Sequence, residues 1–306
     1  MSGDTDTPAQ TDGVVTEHEV SSRSRVAAYV ALTKPRIVEL LLITTVPAMV
    51  LAAGEWPDTW LVLATLIGGT LSAAGANALN SYLDRDIDEL MRRTKRRPLA
   101  RHEVPARHAL VLGVVLGVAG FAFLWWTSNL LAASIATAAL LFYVFVYTIA
   151  LKRSTPQNIV IGGAAGAAPV LVGWAAVTGS LAVAPWVLFF VVFYWTPPHF
   201  WALAIRYRGD YEAAGVPMLP VVVGVEATVR KMLLYTGLMV GVTLLLVPVA
   251  SMSWIYLAAA VGLGAWFLWD TWRVYRNPDL AMHLFTTSTV YLAALFAAVM
   301  LDVLVR

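Results

Sequence analysis

The chain has 306 residues, of which 59% are hydrophobic and 13% charged, with a formal net charge of +2. That balance excludes an ordinary soluble domain: repeated runs of about 20 apolar residues, each long enough to cross a bilayer, mark an integral membrane protein. No cysteine is present, which excludes disulfides, thiolate metal sites and thiol nucleophiles.

Nine apolar runs read as helices, at residues 36–53, 58–79, 108–126, 129–151, 158–178, 184–204, 230–250, 253–272 and 283–303. A backbone facing lipid must satisfy its own hydrogen bonds, and an outer-membrane barrel would need short alternating strands instead. The expected fold class is therefore an all-α membrane protein, a bundle of nine transmembrane helices around a central cavity.

Ahead of the first run, residues 1–22 carry Asp4, Asp6, Asp12, Glu17 and Glu19 and no basic residue. This matches neither a signal peptide nor an Arg-rich transit peptide. Residues 1–27 are expected to form a disordered cytoplasmic tail, and 28–306 a single domain. Lys34 and Arg36 open the first run, and Glu39 lies one turn further on, facing the cavity or paired with one of them.

The second run ends in the most informative stretch, Asn80-Ser-Tyr-Leu-Asp84-Arg-Asp86-Ile-Asp88. Each step of four residues drifts about 40° around a helix, so Asn80, Asp84 and Asp88 share a face. One amide and two carboxylates suit a hard cation such as Mg²⁺, which takes one or two carboxylates and completes its shell with phosphate oxygens. Arg92, Arg93, Lys95, Arg96 and Arg97 follow, where they could grip phosphate. Asp86 points elsewhere, to pair with Arg85 or Arg93. The combination implies chemistry on a diphosphate.

Tyr143 and Tyr147 lie on one face of the fourth run and lead to Lys152 and Arg153, which serve as diphosphate ligands or as topology signals. Gly162, Gly163 and Gly166 in the fifth allow close helix packing. The sixth closes on Tyr194-Trp-Thr-Pro197-Pro198-His199-Phe-Trp201, where two prolines remove backbone donors and predict a kink over a cavity. His199, ionisable inside an apolar run, has three open roles: haem-iron ligand, proton acceptor, or hydrogen-bonded interior histidine. A second polar segment, Arg206-Tyr-Arg208-Gly209-Asp210-Tyr211-Glu212, again puts a carboxylate beside arginines at the end of a run.

With nine crossings, 20 of the 21 lysines and arginines fall on one side, leaving only Arg306 opposite. The positive-inside rule then places the N-terminus and both polar segments in the cytoplasm. Trp56, Trp60, Trp125, Trp126, Trp186 and Trp254 gather near the other ends as an aromatic belt. The basic face is read as topology, since no nucleic-acid motif is present and no nucleic-acid partner is expected.

The strings Leu32-Thr-Lys34-Pro-Arg36, Asn80 to Asp88, Arg93-Thr94 with Arg97-Pro98-Leu99, Lys152-Arg153 to Asn158, Thr196 to Trp201, and Asp210-Tyr211 to Pro220 resemble a known family. They are similar to the haem-farnesylating branch of the UbiA-type intramembrane prenyltransferase superfamily. The resemblance implies transfer of farnesyl from farnesyl diphosphate to a vinyl group of haem B with addition of water, giving haem O for haem A biosynthesis. It implies Mg²⁺ held by Asn80, Asp84, Asp88 and Asp210. Lys34, Arg36, Arg93, Arg97, Lys152, Arg153 and Arg208 would bind the diphosphate, and His199 would hold the iron or take a proton. The lipid bilayer, haem A synthase and oxidase-assembly proteins are the implied surroundings, in a bacterial inner membrane with the site facing the cytoplasm. One departure stands out: the family's second motif has two adjacent aspartates before its tyrosine, and Gly209 replaces the first. Rival readings are the same chemistry on another aromatic acceptor, such as a quinone precursor, and a non-enzymatic haem carrier or oxidase-assembly factor.

Overall fold

The computed structural model describes residues 25–306, apart from the side chains of residues 36–42. The expectations for Arg36, Glu39 and residues 1–24 of the tail lie outside the described residues.

Among the described residues every regular element is helical, in accord with the expected fold class. In chain order they are α1 (Arg25–Leu32), α2 (Pro35–Ala53), α3 (Thr59–Leu83), α4 (Arg85–Leu90), α5 (Ala106–Thr127), α6 (Leu130–Leu141), α7 (Asn158–Thr178), α8 (Val183–Arg206), α9 (Arg208–Ala213), α10 (Leu219–Val222), α11 (Gly224–Val249), α12 (Trp254–Arg276) and α13 (Ala281–Val305). A π-helix, Phe142–Leu151, continues α6 without a break, and a short 3₁₀ turn precedes α13.

Seven of these segments are long and apolar enough to cross a membrane, and Ile43–Ala53 of α2 is a shorter apolar stretch. The protein is therefore a multi-pass membrane protein. α12 occupies the eighth predicted run but is less apolar, because it carries Trp254, Trp266, Trp269, Trp272 and Asp270.

Two packing devices position the site. α3 and α5 touch backbone to backbone: a Cβ on Gly75 would stand 2.8 Å from Gly113 O and from Gly117 N. Small residues give such close approach in a bilayer, where lipid is as apolar as leucine and fit decides association. This makes α3 a rigid stem for Asn77 and Asn80 at its end. On the other side of the bundle, α8, α12 and α13 bury Trp195, Trp201, Tyr256, Phe267, Tyr291 and Phe296 in one core. The Phe267 and Tyr291 rings stack there at 4.9 Å.

α8 stays helical through Pro197 and Pro198, although neither can donate to the carbonyls four residues earlier, those of Phe193 and Tyr194. One local expectation, on the α7 glycines, is revised. Of the three glycines in α7, Gly162 lies against the Tyr147 ring and Gly163 against Thr196, whereas Gly166 faces open space.

Candidate functional site

The Asn/Asp/Asp face forms although α3 formally ends at Leu83. Asp84 N–H donates to Asn80 O at 2.9 Å and Asp88 N–H to Asp84 O at 2.9 Å, so four-residue hydrogen bonding runs through the α3–α4 junction. All three side chains are buried, at 3%, 0% and 1% exposure. An amide and two carboxylates at the end of an apolar bundle demand partners, because unpaired buried charge is strongly unfavourable.

Those partners come from three separate segments. Lys34 Nζ donates to Asn80 Oδ1 at 2.6 Å, and Asn80 Nδ2 donates to Asp84 Oδ2 at 2.7 Å and to Thr148 Oγ1 at 3.0 Å. Lys152 Nζ, just past the π-helix, donates to Asp84 Oδ2. Arg97 Nη1 spans both oxygens of Asp88 at 2.8 and 2.7 Å. Asp84 Oδ1 is the exception: it is buried and accepts no hydrogen bond, with Arg153 Nη2 4.0 Å away.

Lys34 occupies the left-handed region at φ 52°, an uncommon conformation for a non-glycine residue. The turn is held there by Asn77 Nδ2, which donates to Thr33 O at 3.0 Å, and by the bond from Lys34 to Asn80. Such strain persists only where surrounding contacts over-determine it. Burial, reinforced by the charge of Arg97, lowers the Lys34 ammonium well below the ordinary lysine value. Burial also lowers Lys152, against the opposing pull of Asp84. An arriving diphosphate would reverse both effects by supplying opposite charge.

Asp86 pairs with neither predicted partner. Arg153 grips it with Nη1 at 2.6 Å and Nη2 at 2.7 Å, pulling the carboxyl down to about 2. Arg85 lies over the Tyr82 ring instead. The Arg153–Asp86 pair fastens the end of the π-helix to α4 and leaves Lys152 beside Asp84.

The second motif brings Asp210 to the same region. Arg92 Nε donates to Asp210 Oδ1 at 2.9 Å and the Arg93 backbone N–H to Oδ2 at 3.1 Å. Burial alone would raise the Asp210 carboxyl, but these bonds and both charges outweigh it and hold it below the ordinary value. Arg93 Nη2 also donates to Tyr211 Oη at 3.4 Å. Beside this clasp a cleft of about 300 Å³ is lined by Arg92, Arg93, Arg206 and Tyr207. Arg208 and Glu212 are exposed, and Arg208 makes none of the contacts that join the other predicted cations.

His199 is buried between Trp195 and Phe285, stacked at ring distances of 4.2 and 4.3 Å. Its Nδ1 stands 2.7 Å from Ser288 Oγ, which is itself 2.8 Å from Phe285 O. With the single hydroxyl proton given to the carbonyl, Ser288 Oγ is the acceptor for Nδ1–H.

Sequence reasoning missed Thr148 and Ser288. Both are ordinary hydroxyl residues within apolar helices, and neither carries a local signal, because their partners lie 68 and 89 residues away.

The donor set for a hard cation is of the right chemistry, all oxygen, and Asp84 Oδ1 is a buried acceptor awaiting a partner. Among the described residues, no three His, Asp or Glu side chains lie close enough together to share an ion. Asp88 is held by Arg97, and Asp210 by the Arg92 side chain and the Arg93 backbone. Asn80 Oδ1 is likewise held by Lys34 and Asp84 Oδ2 by Lys152, which leaves Asp84 Oδ1 as the open oxygen of the set.

The chain resembles known proteins over most of its length. The profile of the UbiA prenyltransferase family matches residues 41–293. A protoheme IX farnesyltransferase of Clavibacter michiganensis subsp. michiganensis is 54% identical over 280 residues, covering 90% of this chain and 92% of its own. Among solved structures, one described as digeranylgeranylglyceryl phosphate synthase superposes with a TM-score of 0.75 at 18% identity, covering 92% and 99% of the two chains. A UbiA homologue from Archaeoglobus fulgidus bound to DMAPP and Mg²⁺ gives 0.64 at 16% identity, covering 89% and 99%. At those identities the structures speak for the fold alone, while the family match spans most of the sequence and contains the Asn/Asp/Asp face. The chain belongs to the UbiA prenyltransferase family.

Proposed function

We propose that this protein transfers the farnesyl group of farnesyl diphosphate to a vinyl group of haem B, with addition of water, at a cytoplasm-facing site of the bacterial inner membrane. The observation that carries prenyl transfer is the convergence of Lys34, Lys152 and Arg97 on three buried oxygen-bearing side chains, Asn80, Asp84 and Asp88. The acceptor is supported by the 54% identical Clavibacter relative. The orientation is supported by the gathering of basic residues at this end of the bundle.

Asn80 and Asp84, joined by Asp88 and Asp210, are the residues that would hold Mg²⁺. Bound there, the ion supplies charge neutralisation to the diphosphate oxygens. As the allylic C–O bond breaks, its electron pair leaves with the diphosphate. Lys34, Lys152, Arg93 and Arg97 are the cations that would meet that growing charge, three of them already held by the acidic motif: Lys34 by Asn80, Lys152 by Asp84 and Arg97 by Asp88. The haem vinyl group supplies the electron pair for the new C–C bond. Water then captures the cation left beside the porphyrin, and its surplus proton must go to a base. His199, whose Nδ1 is engaged by Ser288, would use Nε2 to take that proton or ligate the haem iron.

Incubating the purified protein with farnesyl diphosphate, Mg²⁺ and haem B tests this directly. The expected product is a hydroxyethylfarnesyl haem, identified by mass. Absence of that product together with turnover of an aromatic acid would overturn the haem assignment.

A further inference from the structure

The orientation of the Asn80 amide decides whether it offers a cation its oxygen or its nitrogen. The two ends of an amide are nearly the same size and shape, so the hydrogen-bond network settles the choice. Here the network does so through Thr148. Its Oγ1 stands 2.8 Å from Tyr143 O and 3.0 Å from Asn80 Nδ2. A hydroxyl has one proton, and a backbone carbonyl can only accept it, so toward Asn80 the Thr148 oxygen must be the acceptor. One amide proton therefore goes to Thr148 and the other to Asp84 Oδ2 at 2.7 Å, which leaves Oδ1 facing Lys34. A flipped amide would set its oxygen against the Asp84 carboxylate and would need a second hydroxyl proton from Thr148.

The backbone supplies the reason that Thr148 can do this. Thr137, Thr196, Thr243 and Thr271 each return their hydroxyl to the carbonyl four residues back. Thr148 returns its hydroxyl five residues back, because it lies in the π-helix Phe142–Leu151. Single π-turns inside helices occur often at functional sites. The same wide turns carry the chain on to Lys152, so one local irregularity presents a hydroxyl to Asn80 and an ammonium to Asp84.

We infer that Thr148 is a positioning residue for the reaction: its hydroxyl, aimed by the π-helix, fixes the Asn80 amide so that the carbonyl oxygen is presented to the metal. This rests on the metal-dependent prenyl transfer proposed above. Outer hydrogen-bond partners of metal ligands typically change metal affinity by 10–100-fold when removed.

The test uses the full chain in detergent and reads Mn²⁺ binding by electron paramagnetic resonance in the presence of inorganic diphosphate, alongside the Mg²⁺ concentration that half-activates farnesyl transfer. Thr148→Val should weaken both by roughly tenfold, while turnover at saturating Mg²⁺ changes much less. Thr148→Ser should restore both to within about twofold of wild type. Thr148→Ala, smaller and equally without a hydroxyl, should behave as the valine variant and serves where the valine variant folds poorly. In an Asn80→Asp background, which has no amide to orient, Thr148→Val should add less than about a twofold further change. Wild-type Mn²⁺ affinity in the valine and alanine variants would overturn the inference, as would equal weakening by serine and valine. Wild-type protein that binds no Mn²⁺ would instead remove the metal reading beneath it.

Discussion

The two acidic motifs stand at corresponding ends of α3 and α8, yet they are built differently. The first buries three oxygen-bearing side chains, Asn80, Asp84 and Asp88, and draws cations from the α1–α2 turn, the π-helix end and the loop after α4. The second buries one carboxylate, Asp210, whose partners Arg92 and Arg93 both come from the first motif's own loop. Glu212 is exposed, and Gly209 has no side chain to contribute. The difference teaches that the second motif works here as a clasp, tying the arginine loop to α9, while the first is the centre to which other elements converge. A carboxylate that is one of several converging groups and one that chiefly fastens a loop should respond very differently to removal.

The largest expected effect tests that difference head on. Asp84→Asn keeps size and shape but removes the charge that balances Lys152 and the free acceptor Oδ1, so farnesyl transfer should fall on the order of 10³-fold. Asp210→Asn should fall only about tenfold, with the Mg²⁺ requirement raised, because it acts through Arg92 and Arg93. Steady-state rates of the two purified variants check the ratio; equal losses would make the motifs equivalent partners. An Asp84→Asn variant with near-wild-type farnesyl transfer would overturn the metal reading of the first motif.

The next expectation concerns protons. The first motif is served by lysines whose ammonium groups are lowered by burial, the second by arginines, which keep their charge at any accessible pH. A diphosphate raises the lysines again, so binding should take up protons at alkaline pH below the ordinary lysine value of 10.5. The sign follows from linkage: the ligand favours the protonated form, so affinity falls as pH rises through the lowered pKa values. Calorimetry of farnesyl diphosphate binding in two buffers of different ionisation enthalpy should report uptake of up to about two protons. Lys34→Met should reduce it, and Arg92→Gln should leave it unchanged. No buffer dependence would mean that the lysines are fully charged before the ligand arrives.

Much of the architecture was legible because apolar runs of bilayer length need no periodicity to be recognised. The fourth run, read as 129–151, is Leu130–Leu151, and the fifth, read as 158–178, is α7. The second run was read as ending at residue 79, but α3 continues to Leu83. Asn77 and Asn80 lower hydropathy there without ending the helix, because their side chains find partners in the α1–α2 turn, Asp84 and Thr148. The π-helix was invisible, since Phe142–Leu151 has the composition of any apolar helix and only its hydrogen bonding differs. Within the site, the four-residue spacing disclosed Asn80, Asp84 and Asp88, because that geometry is local. Pairings such as Arg153 with Asp86, 67 residues apart, depend on how helices pack and could not be read from spacing. Arg208, which the resemblance groups with the phosphate cations, is exposed in the first turn of α9.

The smallest effect is the most informative about the second motif. Gly209 lies in the first turn of α9, a Cβ added to it would meet nothing within 4 Å, and its φ lies outside the left-handed region that resists side chains. Gly209→Asp should therefore fold at least as well as the parent, since glycine inside a helix is unfavourable by roughly 0.5–1 kcal/mol relative to alanine and an acid near a helix N-terminus is favourable. What it does to metal dependence is the discriminating quantity. If the missing carboxylate is what keeps Asp210 confined to its clasp, the new acid should compete for Arg92 and free Asp210 toward the ion, lowering the half-activating Mg²⁺ concentration by about two- to fivefold. If Asp210 serves only to fasten the loop, that concentration should not move, and the contrast between a convergent first motif and a fastening second one becomes complete.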